Sequence, residues 1–249
     1  MSDPIAPPPL PVNSSIEPDG RLAPVVKTAA WEDVLDIFYA PRQVFERRRD
    51  GKYLIPLLLL AAVTVATFFL SAQVNEALAD VEFKRAMAAQ TTKLTPEQMA
   101  SARAFAEKIK AVGVYFIPVF VVVGAWIGGV IILLLSSMMG GKLNFAQATL
   151  IGILSSMPEL LSKVAIGAQG LFLDTATIVH KYSFSINAAR FMPGTVSSWM
   201  LKLGAIADPF VLWGTFLVGM GAWIIGRMEK EKAAVLAIIY LLVVTILIR

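Results

Sequence analysis

The segment Pro41–Asp50 carries Arg42, Arg47, Arg48 and Arg49, and Gly51–Lys52 then opens onto Tyr53–Ala72, YLIPLLLLAAVTVATFFLSA. About 20 consecutive apolar residues are what an α-helix needs to span the hydrocarbon core of a bilayer. Basic residues packed just before a first span tend to stay on the cytoplasmic side. The juxtaposition therefore describes an integral membrane protein whose N-terminal segment faces the cytoplasm, and it excludes most soluble-enzyme readings.

Composition extends this reading from one span to several. Hydrophobic residues make up 57% of the 249 and charged residues 16%, with a mean hydropathy of +0.68, whereas soluble domains hold roughly 25% charged residues. The apolar excess falls in separate runs, so the chain is expected to be polytopic. There is no cysteine, which removes disulfides, thiolate catalysis and cysteine-ligated metals. His180 is the only histidine, which rules out multi-histidine metal sites. The net charge of +4 sits mostly near span ends, which points to topology and anionic lipid rather than nucleic acid. No cofactor and no metal is expected.

Three parts are expected along the chain. Residues 1–28 begin with a Pro-, Ser- and Asp-rich stretch that lacks the basic n-region and apolar h-region of a secretory signal, and read as a disordered cytoplasmic leader. Residues 29–52 form an amphipathic, basic interfacial segment. Trp31, Val34, Leu35 and Phe38 share one helical face, with Glu32, Asp33 and Asp36 on the other, and the helix either lies in the headgroup region or packs on other cytoplasmic parts of the same protein. Pro41 ends that helix, and a second short helix carries Val44, Phe45 and the Arg47–Arg48–Arg49 run toward lipid phosphates. Trp31, Phe38, Arg42, Phe45, Arg47, Arg48 and Arg49 are thus the candidate lipid- or partner-facing residues. The third part, residues 53–249, is a five-span membrane domain.

Its spans are expected at about 53–73, 114–139, 145–170, 209–226 and 233–248. Between the first two, Thr95–Pro96–Glu97–Gln98 has the residues of a capping box with proline at the first helical position, and starts a helix that leads into the second span. Pro118 is expected to kink that span. Gly124 and Gly128 form a small-xxx-small face suited to close helix packing in lipid, and Gly214 and Gly221 do the same for the fourth span.

The third span is unusual because Ser155, Ser156, Pro158, Glu159 and Lys163 interrupt it. A charge at the centre of a spanning helix costs about 2.5–3.5 kcal/mol on insertion scales. Glu159 and Lys163 are spaced i, i+4 and share a face. Two readings stay open: an intramembrane polar site, or a helix broken at Pro158 with the pair near a shallow, interfacial segment. Residues 174–204 are mixed, with His180 a loop residue and Phe191, Trp199, Met200 and Leu203 suited to a membrane surface. Basic residues divide almost evenly between the two predicted sides, so the orientation rests on those just before the first span.

Four stretches, in order, resemble the Yip-domain family of membrane proteins, named in eukaryotes for interaction with Ypt/Rab GTPases. They are Trp31 to Phe45, with its Pro-x-x-Val-Phe; Gly140–Gly141–Lys142 leading through Phe145 to Ser156–Met157–Pro158; Ser183–Phe184–Ser185 through Pro193; and Ile206–Ala207–Asp208–Pro209–Phe210–Val211–Leu212–Trp213. The resemblance spans residues 31–248 and implies an all-α, five-span fold. The Pro-rich leader and short loops look bacterial, which implies an inner-membrane protein without a Rab system. No binding residue is carried over.

The residues and the resemblance together favour a non-enzymatic scaffold or adaptor for lipids or other membrane proteins, with homo-oligomers possible. The alternative is a small transporter, channel or permease subunit using the Glu159/Lys163 region, since interrupted helices often line substrate sites. A membrane enzyme is disfavoured. Its one candidate dyad, Ser155 or Ser156 with Lys163, is separated by about two helical turns, roughly 10–12 Å, too far for direct proton transfer.

Overall fold

The computed structural model describes residue 29 and residues 31–88, 95–174 and 177–247. The expected leader, 1–28, lies outside the described residues. Among them the chain is helical, with no strand: α1 (Asp33–Asp36), α2 (Pro41–Arg47), α3 (Leu54–Leu70), α4 (Ala72–Ala88), α5 (Pro96–Gly113), α6 (Ile117–Met138), α7 (Phe145–Gly170), α8 (Ser198–Ile206), α9 (Pro209–Ile224) and α10 (Lys230–Leu247).

Local chemistry sets the starts of these helices. At α5 the Thr95 hydroxyl accepts from the Gln98 N–H at 3.3 Å, and the Thr95 N–H donates to the Gln98 side chain at 2.9 Å, so two of the orphan donors at a helix start are satisfied at once. Asn144 and Gln147 make the same reciprocal pair at α7, at 2.9 and 3.0 Å. Asp208 caps α9 by accepting from Phe210 N–H at 2.9 Å and Val211 N–H at 3.4 Å, and Pro209 takes a position whose N–H has no helical partner to lose.

The central element is α7. Leu150, Ile151, Ile153, Leu154 and Met157 are all essentially inaccessible, and α3, α6 and α9 pack around it. Pro158 removes one backbone donor, yet α7 runs unbroken from Phe145 to Gly170. The reading in which Pro158 breaks the third span is therefore corrected. Pro118 also differs from expectation. A short 3₁₀ turn, Val114–Phe116, joins α5 to α6, and Pro118 sits in the first turn of α6, where a proline is accommodated rather than disruptive.

Among the described residues two stretches, Pro96–Met138 and Phe145–Gly170, are long and apolar enough to cross a membrane. Two bent pairs raise the number to as many as four: α3 with the following helix to Met87, bent by 75°, and α8 with α9, bent by 63°. The expected fifth segment coincides with α10, whose first turn holds Lys230, Glu231 and Lys232. The bend after α3 is built against the far end of α7. A Cβ on Gly167 would lie 2.6 Å from the Ser71 hydroxyl, and one on Gly170 would lie 2.0 Å from a Val74 methyl. A larger residue at either position would have to displace the Ser71, Leu70 or Val74 side chain.

Candidate functional site

At the end of the bundle where α3 and α7 begin, α1 and α2 form a cap. Asp33 has no solvent exposure. Its carboxylate accepts from Arg47 at 2.6 Å and also pairs with Arg48, while Arg47 reaches Asp36 as well. A buried carboxylate is tolerable only when charge and hydrogen bonds compensate it, and two guanidinium groups do so here. Tyr39 donates to Asp36. That bond, and the one from Arg47, hold the Asp36 carboxyl below its ordinary value. The same bond to Asp36 pushes the Tyr39 phenol up.

This latch splits the expected apolar face: Trp31 and Leu35 point outward, while Val34 and Phe38 pack against the core. Ile37, Val44 and Phe45 are fully buried, and Phe45 packs against α9, where its ring edge would lie 3.2 Å from a Cβ on Gly221. Phe45, Arg47 and Arg48 therefore do not point outward as expected. The ring fills the α2–α9 seam and both guanidinium groups are engaged by Asp33. Phe38 is half-buried. What faces outward is a row one helical turn apart, Trp31, Leu35 and Tyr39, exposed by 55, 58 and 74%, with Arg49 exposed beside the start of α3. Arg42 pairs with Glu46 at 2.9 Å and lies 5.6 Å from the centroid of the Trp223 ring on α9. Gln147, at the start of α7, donates to the Arg49 carbonyl at 2.8 Å. Gly51 turns there with a φ of +74°, its backbone pressed on Ala146 and Gln147.

Along α7 runs a groove of about 370 Å³ between α3, α6 and α10. Leu60, Phe120, Val121, Gly124 and Ala125 give it an apolar wall, and Ser156, Glu159, Lys163 and Tyr240 make it polar. Glu159 and Lys163 also line a second, open space of about 370 Å³, where Ser162, Lys181, Asn187 and Asp208 join them. Glu159 lines a third cavity of about 60 Å³ against α9 and α10. Two hydroxyls there, of Ser155 and Thr245, are buried without a hydrogen-bond partner. Glu159 thus stands where three cavities meet.

The wall of the second space includes Asn187 and Asp208, which no spacing in the sequence brings together. Asn187 is 7% exposed; its Nδ2 donates to Asp208 at 3.5 Å, and its Oδ1 has no partner. The segment carrying it is pinned to the helices. Arg190 donates to Gln169 at 2.8 Å, and Gln169 donates to the Phe184 carbonyl at 3.1 Å. His180, fully buried, accepts from the Tyr182 N–H through Nδ1 at 3.2 Å, so its Nε2–H donates to the Met192 carbonyl at 2.9 Å. The ring organises a loop.

Glycines set how closely helices approach. A Cβ on Gly214 would lie 2.6 Å from the Ser155 carbonyl oxygen, and one on Gly221 2.8 Å from Ile151. A Cβ on Gly128 would meet the Tyr240 hydroxyl at 3.1 Å. Gly124 has nothing within 4 Å, so it lines the groove rather than a seam. The tight contact between α6 and α7 falls instead at Gly129, where a Cβ would lie 2.4 Å from the Thr149 hydroxyl. Among the described residues no group of three or more His, Asp or Glu side chains is placed to hold a metal ion.

The model of one protein family, described as Yip1 domain, matches residues 35–248. No curated protein matches the chain. No solved structure matches it either.

Proposed function

The chain belongs to the Yip1 domain family, and we propose that it is a non-enzymatic membrane scaffold or adaptor that engages lipids and other membrane proteins. In this reading α3, α6, α7, α9 and α10 are five spans of a bacterial inner-membrane protein, with the α1–α2 cap in the cytoplasm. The carrying observation is the outward row Trp31, Leu35 and Tyr39, fixed to the bundle by the Asp33–Arg47–Arg48 latch. Aromatic side chains on a rigid element beside a span end suit the headgroup region, where they meet lipid or an adjoining membrane protein.

The test uses the absence of cysteine. Single cysteines at Asp50 and Lys202 are reacted with a membrane-impermeant maleimide in right-side-out and inverted vesicles. The proposed topology expects labelling at 50 only in inverted vesicles and at 202 only in right-side-out ones. Replacing Trp31, Leu35 and Tyr39 together by serine should leave membrane levels normal and reduce the proteins recovered by affinity purification in mild detergent.

The meeting of three cavities at Glu159 favours a second reading, a small transporter or channel subunit. It expects lost flux at normal membrane levels in E159Q, in K163M and in the double variant. A structural pair expects the single variants to lower membrane levels and the double variant to restore them.

A further inference from the structure

We propose that the seam of α2, α9 and α10 binds one anionic phospholipid, its phosphate in a recess lined by Arg42, Arg49 and Arg227 and an acyl chain in the apolar groove that begins at Trp223. The inference names a lipid class for the scaffold reading and rests on the membrane placement given there.

The recess, of about 240 Å³, lies between Arg42, Glu46, Arg49, Trp223, Ile224 and Arg227. Its three guanidinium groups are on exposed residues and within reach of a ligand from outside. Its one carboxylate, on Glu46, is engaged by Arg42 at 2.9 Å. The wall is therefore net positive, and an ammonium headgroup would meet a surplus of like charge. Guanidinium forks match phosphate oxygens in geometry as well as in charge, and basic pockets between helices at a cytoplasmic membrane face suit anionic lipid.

The arginines stand on a fixed frame. Buried Val44 and Phe45 seat α2 on α9, and the Arg49 carbonyl is held by Gln147. Arg227 lies between buried Gly226 and Met228, and the Gly226 carbonyl accepts from the Lys142 N–H at 3.0 Å. The backbone at Arg227 is left-handed, with a φ of +53°. A residue with a side chain occupies that region at a cost. Such residues persist only where the surroundings over-determine them, and they cluster at ligand clamps and switches.

Trp223 joins the recess to the groove. Arg42 Cζ lies 5.6 Å and Lys230 Nζ 4.8 Å from its ring centroid, and the same indole lines an open groove of about 530 Å³ between α9 and α10. Leu212, Phe216, Met220 and Ile238 make that groove apolar, and the Thr215 hydroxyl in it donates to the Val211 carbonyl at 2.8 Å. Trp223 and Leu212 are eleven residues apart, about 16 Å along a helix, or roughly half of a hydrocarbon core of about 30 Å. A cationic end and an apolar path one leaflet deep together fit a phospholipid, whereas a free phosphate uses only the first.

The experiment is native mass spectrometry of the full chain in mild detergent, titrated with phosphatidylglycerol, phosphatidylethanolamine and phosphatidylcholine of matched chains, and with glycerol 3-phosphate. The expected result is binding of phosphatidylglycerol about tenfold tighter than of either zwitterionic lipid, with glycerol 3-phosphate far weaker than phosphatidylglycerol. R227G removes a charge and relaxes the left-handed turn, so it should fold and weaken phosphatidylglycerol about fivefold, and R49Q/R227G about 25-fold. A234F, which fills the groove without altering a charge, should weaken it too. R103Q/K108Q, which removes two cations from α5, should not. Equal binding of phosphatidylglycerol and phosphatidylcholine by the unaltered protein, glycerol 3-phosphate as tight as phosphatidylglycerol, or a loss no larger in R49Q/R227G than in R103Q/K108Q overturns the inference and leaves the membrane placement standing. A chain that stays in solution without detergent removes the membrane placement, and the inference with it.

Discussion

Gly214 of α9 crosses α7 so closely at Ser155 that a methyl group at position 214 would sit 2.6 Å from the Ser155 carbonyl oxygen. The obstructing atom belongs to the backbone of a buried helix, so it cannot swing aside. G214A should therefore destabilise the bundle by about 1–3 kcal/mol, as overpacking does. G124A supplies the contrast, because nothing lies within 4 Å of its added methyl and alanine favours helix by up to about 1 kcal/mol. Thermal unfolding in detergent, followed by size-exclusion chromatography, should rank G214A below the unaltered protein and G124A level with it or above.

Removing the Asp33 carboxylate leaves Arg47 and Arg48 without their shared buried partner. D33N should loosen the cap by about 1.5–3 kcal/mol, the range for hydrogen bonds to charged groups, without unfolding the spans. Faster trypsin cleavage after Arg47 and Arg48, with an unchanged bundle melting temperature, is the expected pattern. An unchanged cleavage rate would mean the latch contributes nothing to holding the cap.

Asp36 gives the latch a pH dependence of known sign. Tyr39 and Arg47 donate to its carboxylate and lower its pKa from 3.8. A depressed carboxyl contributes stability in full above the unfolded value and loses it as pH falls through the folded one. Acid should leave the cap intact down to about pH 4 and loosen it below. Hydrogen exchange of residues 33–48, corrected for its intrinsic pH dependence, should rise there, and D36N should remove the transition.

Gln147 belongs to two structures at once, the capping box with Asn144 and the bond to the Arg49 carbonyl. Q147A should cost about 0.5–2 kcal/mol, with faster hydrogen exchange both at the start of α7 and around Gly51. A change confined to α7 would show that the link to residue 49 carries no strain or support.

What the sequence can tell depends on range. Helix starts at Thr95–Pro96, Asn144–Phe145 and Asp208–Pro209 are written in adjacent residues, because a cap is a local object. The apolar runs mark the long helices for the same reason. The burial of Asp33 in α1 is not what its periodicity suggests, because an aspartate buries only when its arginines, fourteen and fifteen residues on, fold back onto it, and no periodicity reports that. The number of spans is blurred where chemistry is mixed: Lys230, Glu231 and Lys232 charge the first turn of α10, and Ser71 marks a 75° bend inside an otherwise apolar passage. Glu159 and Lys163 stand out in the sequence as charges in an apolar run. Asn187 and Lys181 do not, since they reach α7 only through the path of the 177–208 segment.

The helix from Pro96 to Met138 gives only 22% of its apolar stretch to the rest of the protein, against 56% for α7. Its outer flank borrows its solvent from the surroundings. Swap a long-chain amphiphile for a short one and α7, wrapped by its own neighbours, keeps the same company, while this flank meets a different medium along its whole length. Purification in a poorly matched detergent will therefore be felt first on one side of the molecule, at the wall of the groove that α6 supplies.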